Sequence, residues 1–247
     1  MKVVEIFNSI DGEGKRAGEL TTFIRLFGCN LRCTYCDTPY GYEQQDDVEP
    51  YKEMSITEII QECEKYKTKN ITLTGGEPLI HNDVQYLLRA LSENNYNVNV
   101  ETNGSVPIKK YFNVDGTPKS GYENVWFTVD YKCPISGMEN KMDMDNFSVS
   151  KYSYKNVVYK FVVGSLQDLQ KATDIIQNYI FKLGGVDTGS RKDYHNVVYI
   201  SPVFGKIEPR EIVEYLQNTP ELMNEYTPVR VQLQLHKFIW PPEKRGV

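Results

Sequence analysis

No run of apolar residues approaches the roughly 18–20 that a membrane-spanning helix needs, so no span is expected in the 247-residue chain. A basic excess is also missing. Lys and Arg number 28 against 33 Asp and Glu, a formal charge of −5, which lacks the footprint that nucleic-acid binding leaves. Met1-Lys2-Val3-Val4-Glu5 places a carboxylate where the apolar core of a secretory leader would run. Neither an internal repeat nor a linker-like composition divides the sequence. One domain over residues 1–247 is therefore expected, with residues 1–40 integral to it. The cysteines do not form an even set: there are 5, and Cys29, Cys33 and Cys36 fall within eight residues. That pattern argues against a disulfide framework and for a reducing compartment in which thiolates bind metal. Cytoplasm is the expected location.

What is present alternates between strand and helix. Residues 22–27, 70–74, 97–100, 125–129, 157–163 and 197–200 read as strands. The run 157–163 is nearly all apolar, as a buried parallel strand should be. Residues 55–66 read as a helix, with Ser55 and Glu58 spaced as a capping box. Val84, Leu87, Leu88 and Leu91 share one helical face; Leu169, Ala172 and Ile176 mark a further helix, and 211–217 the last. Segments 111–121 and 184–193 read as loops. Near the end, Val229, Val231, Leu233 and Leu235 alternate with Arg230, Gln232, Gln234 and His236. This final strand lines a pocket with its polar side or lies solvated at an edge. The alternation implies βαβ units and a parallel sheet or barrel.

Cys29-x3-Cys33-x2-Cys36 leaves a strand at Gly28. Three thiolates on one loop hold three irons of a cubane and leave the fourth without a protein ligand, whereas Fe–S clusters ordinarily have four cysteines. The competing reading is a zinc site, which prefers four closed ligands. No paired partner follows the triplet, and Cys133 and His81 are remote in sequence. Buried, inert thiols are a third reading that suits Cys63, which lies in a helix. Thr74-Gly75-Gly76-Glu77-Pro78, at the end of the next strand, is by itself a tight turn. Its glycines permit close backbone approach to a ligand.

Together, the cysteine spacing and the Gly-Gly-Glu-Pro turn resemble the radical S-adenosylmethionine (SAM) superfamily. Ser9-Ile10-Asp11-Gly12-Glu13-Gly14, Arg25, Cys36-Asp37-Thr38 and Gln234-Leu235-His236-Lys237 narrow the resemblance to the 7-carboxy-7-deazaguanine synthases, nearly end to end. The resemblance implies a modified, partial (β/α) barrel and a [4Fe–4S] cluster on Cys29, Cys33 and Cys36. Amine and carboxylate of SAM would bind the free iron. It implies Mg2+ and a radical ring contraction of 6-carboxy-5,6,7,8-tetrahydropterin that loses ammonia, in queuosine or deazapurine biosynthesis. An electron donor such as flavodoxin or ferredoxin and a homodimer are implied too, and no nucleic-acid or membrane partner. An activase that makes a glycyl radical on a partner protein shares the cysteine triplet and is the nearest competing activity.

The same resemblance assigns residues. Ile10, Asp11, Gly12, Arg25, Thr74 and His236 fall to the substrate, and Thr38 to magnesium. Gly76, Glu101, Asn103, Asp130, Tyr131, Lys132, Ser201, Pro202, Val203 and Phe204 fall to SAM. No catalytic side chain is implied beyond the cofactor assembly. Arg25 suits a substrate carboxylate, and a surface ion pair is the plain alternative. His236 is otherwise a satisfied core histidine, and Thr38 a turn residue before Pro39. Two departures stand out: Asp11 where the family commonly has Gln, and Asp130-Tyr131-Lys132 where it has Ser-Pro-Lys. Some members bring a C-terminal carboxylate into the substrate pocket; here residues 241–247 extend past His236.

Overall fold

The computed structural model describes residues 1–44, 49–148, 156–181, 196–224 and 227–247. The expected loop at 184–193 lies outside them. Strands β1 (Lys2–Ile10), β2 (Leu20–Leu26), β3 (Lys52–Glu53), β4 (Asn70–Gly75), β5 (Asn97–Thr102), β6 (Val125–Tyr131), β7 (Val157–Val163), β8 (Val198–Pro202) and β9 (Val229–Val231) form one open sheet. Its order is β3-β1-β2-β4-β5-β6-β7-β8-β9. From β2 to β9 all neighbours are parallel, while β1 pairs antiparallel with both β2 and β3. The sheet therefore stays open between β3 and β9 instead of closing as a barrel. None of the described helices is long and apolar enough to cross a membrane.

Helices α1 (Ile56–Glu64), α2 (Val84–Glu93), α3 (Leu166–Ile175) and α4 (Pro209–Gln217) follow strands. Ser55 and Glu58 form the capping box reciprocally at the start of α1. Leu87, Leu88 and Leu91 of α2 join Ile59, Leu169 and Ile212 in one apolar core with Ile24, Leu26, Ile71, Leu73, Val98 and Val100. These strand residues alternate with polar or bulky ones that face the other way. Phe23 and Arg25, Thr72 and Thr74, Asn99 and Glu101, Thr128 and Asp130 occupy the opposite side of β2, β4, β5 and β6. One face of the sheet is thus packed against helices and the other is polar.

Two expectations are corrected. The strand reading began at Thr22 and missed β1, whose KVVEIFNSI is partly buried on both sides and shows no clean alternation. Nor is the last strand a long alternating one, since β9 ends at Val231. After Gln232 the chain leaves β8: the Gln232 amide donates to Ile200 O at 3.0 Å, and that of Leu235 to Gly12 O at 2.8 Å. His236 opens a single helical turn, α5 (His236–Ile239), after what the sequence read as the final helix.

The β1–β2 loop folds beneath the polar face and is held there by Arg16. Its Nε donates to Asp11 Oδ2 at 2.8 Å. Its terminal nitrogens reach the carbonyls of Asn97 at 3.0 Å and Ile71 at 2.9 Å, and Thr72 Oγ1 at 2.9 Å. The guanidinium also lies 4.6 Å from the centre of the Trp126 ring. Thr72 Oγ1 closes the circuit by donating to the other Asp11 oxygen at 2.7 Å. Gly14 then exchanges two hydrogen bonds with the Gln232 amide, at 2.7 and 3.0 Å. Arg16 and Asp11 are 7% and 3% exposed, so removing one leaves a charge buried without its partner. Arg16→Leu is expected to lower stability by about 3–5 kcal/mol in urea unfolding; a loss below about 1 kcal/mol would show that the loop does not depend on it.

A polar cleft at the strand ends

Parallel strands present their C-terminal ends to one rim, where open α/β folds place ligands. Here that rim carries a cleft of about 530 Å3. Cys29, Cys33, Cys36 and Thr38 line it, as do Ile10, Asp11, Gly12, Arg25, Thr74 and His236. So do Gly76, Glu101, Asn103, Asp130, Lys132, Val203 and Phe204. Three of the residues singled out from the sequence, Tyr131, Ser201 and Pro202, are not part of its lining. Tyr131 sits on the helix side of β6 against Phe147 and Phe161, and its hydroxyl donates to Glu139. Ser201 and Pro202 are buried in β8.

The cysteine loop is seated by close backbone contact. Gly76 donates its amide to Leu26 O at 3.1 Å, and Glu77 to Gly28 O at 2.8 Å. A Cβ on Gly76 would stand 2.2 Å from Gly28 O and 2.7 Å from Cys29 Cβ, so only glycine fits. The Glu77 side chain, completely buried, accepts from Leu79 N at 3.0 Å, Thr102 Oγ1 at 2.9 Å and Asn103 N at 2.6 Å. It thereby ties the turn after β4 to the turn after β5, and its carboxylate faces protein instead of the cleft. Asn103 extends from the second turn to Asn30 at 3.0 Å and to Cys29 Sγ at 3.8 Å.

The three clustered thiols are half-buried, whereas Cys63 and Cys133 are fully buried and absent from the cleft lining. His81 is absent from it as well. Burial pushes the Cys29 and Cys33 thiols up, and the Lys132 ammonium pulls both back. Three soft sulfur donors on one cleft wall, beside a glycine cradle, fit a cluster that keeps one iron open.

Arg25 forms an ion pair that is half-buried and not at the surface. It lines the cleft and donates through Nε to Glu5 Oε1 at 2.7 Å, an oxygen that Tyr40 also reaches at 3.2 Å. In register it lies beside Thr74. Arg245 stacks 3.9 Å from the Tyr40 ring centre, and Val247 joins the cleft lining. His236 packs against Gly12, where a Cβ would meet its Nδ1 at 2.0 Å. Burial lowers its pKa, which favours the neutral ring. The Lys237 ammonium, 2.9 Å from Asp37, holds that carboxyl below the usual range. Asp11, the first departure, turns its carboxylate to Arg16 and Thr72, leaving backbone to the cleft. In the second, Asp130 Oδ2 accepts from Lys132 at 2.8 Å.

Sequence reasoning passed over Lys160 and Glu13. Both line the cleft, and they form a buried ion pair. Lys160 stood in a run read only as apolar, so its one charged residue was the available signal. Burial raises the Glu101 pKa to about 7, with Lys160 opposing and Glu13 and Asp11 adding to the rise.

This sheet, with a three-cysteine loop at the end of its first parallel strand, defines a radical SAM enzyme, and the model for the radical SAM superfamily matches residues 23–115. Membership implies a [4Fe–4S] cluster and SAM. The chain is 44% identical over 247 residues to 7-carboxy-7-deazaguanine synthase of Clostridium acetobutylicum, covering 100% of this chain and 99% of that one. It is 34% identical to the enzyme of the same name from Chlorobaculum tepidum, with 100% and 97% covered. The chain belongs to the 7-carboxy-7-deazaguanine synthase family. The crystal structure of QueE from Escherichia coli shares its fold, with a TM-score of 0.63 at 21% identity over 94% of this chain and 93% of that one.

Two outcomes test the seating of the loop. Gly76→Ala is expected to fold, by circular dichroism, yet retain less iron and sulfide after anaerobic reconstitution; full retention would remove the cradle argument. Burial raises the Glu77 pKa to about 7 from 4.5 in the unfolded chain. The folded state then binds the proton more tightly, so this contribution is full below about pH 4.5 and is lost as pH rises through about 7. The stability advantage of wild type over Glu77→Gln is therefore expected to narrow between about pH 5 and about pH 8, in parallel urea titrations.

Proposed function

We propose that the chain converts 6-carboxy-5,6,7,8-tetrahydropterin to 7-carboxy-7-deazaguanine, a Mg2+-dependent ring contraction with loss of ammonia. The observation that carries this reading is the meeting of three thiols, a guanidinium and an imidazole in one cleft. The names of the full-length relatives support the product. Bound there, the cluster and SAM supply hydrogen-atom abstraction, the step that protein side chains cannot perform.

The chain's own residues bind, orient and exclude water. Cys29, Cys33 and Cys36 hold the cluster, and Gly76 leaves room for the methionine end of SAM. Glu101, Asn103, Asp130 and Lys132 follow SAM along the strand ends, with Val203 and Phe204 opposite. For Tyr131, Ser201 and Pro202, which lie outside the cleft lining, a contact with SAM rests on the family resemblance alone. The Ile10–Asp11–Gly12 backbone pairs with the pterin edge, and Arg25 takes the substrate carboxylate. Glu5 fixes the guanidinium through Nε and leaves its terminal nitrogens to the ligand. Thr74 stands beside Arg25, and neutral His236 donates or accepts as the substrate requires. Thr38, whose hydroxyl is 3.9 Å from Cys36 Sγ, holds magnesium together with the substrate carboxylate. A lone hydroxyl is too weak a ligand for this cation, so metal and substrate bind together.

The enzyme on this reading is a single cytoplasmic domain of a homodimer, reduced by a flavodoxin or ferredoxin and serving queuosine or a related deazapurine. Anaerobically reduced enzyme given the pterin, SAM and Mg2+ is expected to release a deazapurine and ammonia. Absence of the deazapurine from fully reconstituted enzyme would sink the assignment, and glycyl-radical formation on a partner protein would replace it. Thr38→Ala is expected to raise the magnesium concentration needed for half-maximal turnover by about tenfold or more. An unchanged requirement would remove Thr38 from the metal site.

A further inference from the structure

The β1–β2 loop delivers Glu13 into the cleft directly after the Gly12 backbone, and β7 delivers Lys160 to meet it. Lys160 Nζ donates to Glu13 Oε1. The two side chains are 10% and 11% exposed, so this is a built and desolvated pair. Its second oxygen differs. Glu13 Oε2 is buried and receives no hydrogen bond among the described residues. A buried carboxylate oxygen without a donor costs free energy, and it is tolerated where a ligand completes it. A carboxylate that meets an ammonium through one oxygen offers its other oxygen as an acceptor. The neighbouring donors are already committed: Gly14 N goes to Gln232, and Arg16 to Asp11 and the strand carbonyls.

We propose that Glu13 is a specificity-determining residue whose Oε2 accepts an N–H from the aminopyrimidinone edge of the substrate. This deepens, and rests on, the pterin reading above. An edge that offers an exocyclic amine is matched by an acceptor at this point, and an edge that offers a carbonyl there is rejected because two acceptors face each other. Arg25 selects the carboxylate end of the ligand, and Glu13, held by Lys160, selects the amine end. The pair Glu13–Lys160 thus acts on recognition, while the hydrogen-abstracting chemistry belongs to the cofactors.

The test compares two fluorescent ligands, 6-carboxypterin and 6-carboxylumazine, which carries oxygen in place of the 2-amino group. Each is titrated into the reconstituted full-length enzyme in the presence of SAM and Mg2+. Wild type is expected to bind the pterin about ten- to a hundredfold more tightly, the value of one hydrogen bond to a charged group. In Glu13→Gln the amide oxygen stays on Lys160 and the amide nitrogen takes the place of Oε2, turning an acceptor into a donor. The preference for pterin is expected to collapse or reverse, with lumazine binding gained; a purely structural role would weaken both ligands alike. Equal affinity of wild type for the two ligands overturns the inference without any variant, and so does a preference that Glu13→Gln retains unchanged. Failure of wild type to bind either ligand overturns the pterin reading itself.

Discussion

Arg16 is the contact on which the rest of the cleft depends. Its guanidinium satisfies two strand carbonyls, a threonine hydroxyl and one carboxylate at once, using nearly all the donors that its planar fork carries. Such a group cannot be moved piecemeal. Because it is fixed, Asp11 is fixed, and the backbone from Ile10 to Gly14 is laid against the polar face of the sheet. Gly12 and Gly14 then capture Leu235 and Gln232, which brings His236 onto the cleft. The residue contributes nothing to the lining; its effect is to hold the wall that does.

Above this base the parallel strands sort chemistry by alternation. Odd and even positions of β2, β4, β5 and β6 send leucine, isoleucine and valine to the helices and Arg25, Thr74, Glu101 and Asp130 to the cleft. The cost of that polar interior is met by pairing. Arg25 has Glu5, Lys132 has Asp130, Lys160 has Glu13 and Asp11 has Arg16. Where pairing is incomplete, as at Glu101, burial shifts the proton affinity instead. Glu77 follows a different logic: its oxygens are spent on binding two turns together, so the acidic member of the Gly-Gly-Glu-Pro motif is structural.

Much of this was legible because it is local. The cysteine triplet, the Gly-Gly-Glu-Pro turn, the capping box at Ser55 and the apolar run of β7 are each read within ten or so residues. Arg25 stood out because it lies four residues before Cys29. What escaped depends on distant partners. Nothing within β1 announces antiparallel pairing, since its residues are half-buried on both sides. Arg16 looks like one more loop cation until β4 and β5 supply its acceptors, and Lys160 looks like an interruption of an apolar strand until Glu13 meets it. The 229–236 alternation left a polar wall or a solvated edge open and did not give the conformation, because the bonds that draw this segment off the sheet go to Gly12 and Gly14. Tyr131 shows the converse: a motif of three successive residues cannot put three side chains on one face of a strand.

The Gly14–Gln232 bonds join residues separated by 218 positions, and this sets an order of assembly. The contacts of the cysteine loop with the turns after β4 and β5 span fewer positions, 74 from Asn103 to Cys29, and carry somewhat less loop-closure entropy. The wall made by Gln234 and His236 follows β9, the last strand of the sheet. During synthesis the residues of the thiol loop are therefore made long before those of the opposite wall. The last segment to be synthesised is the one that supplies Gln234, His236 and Val247 to the cleft.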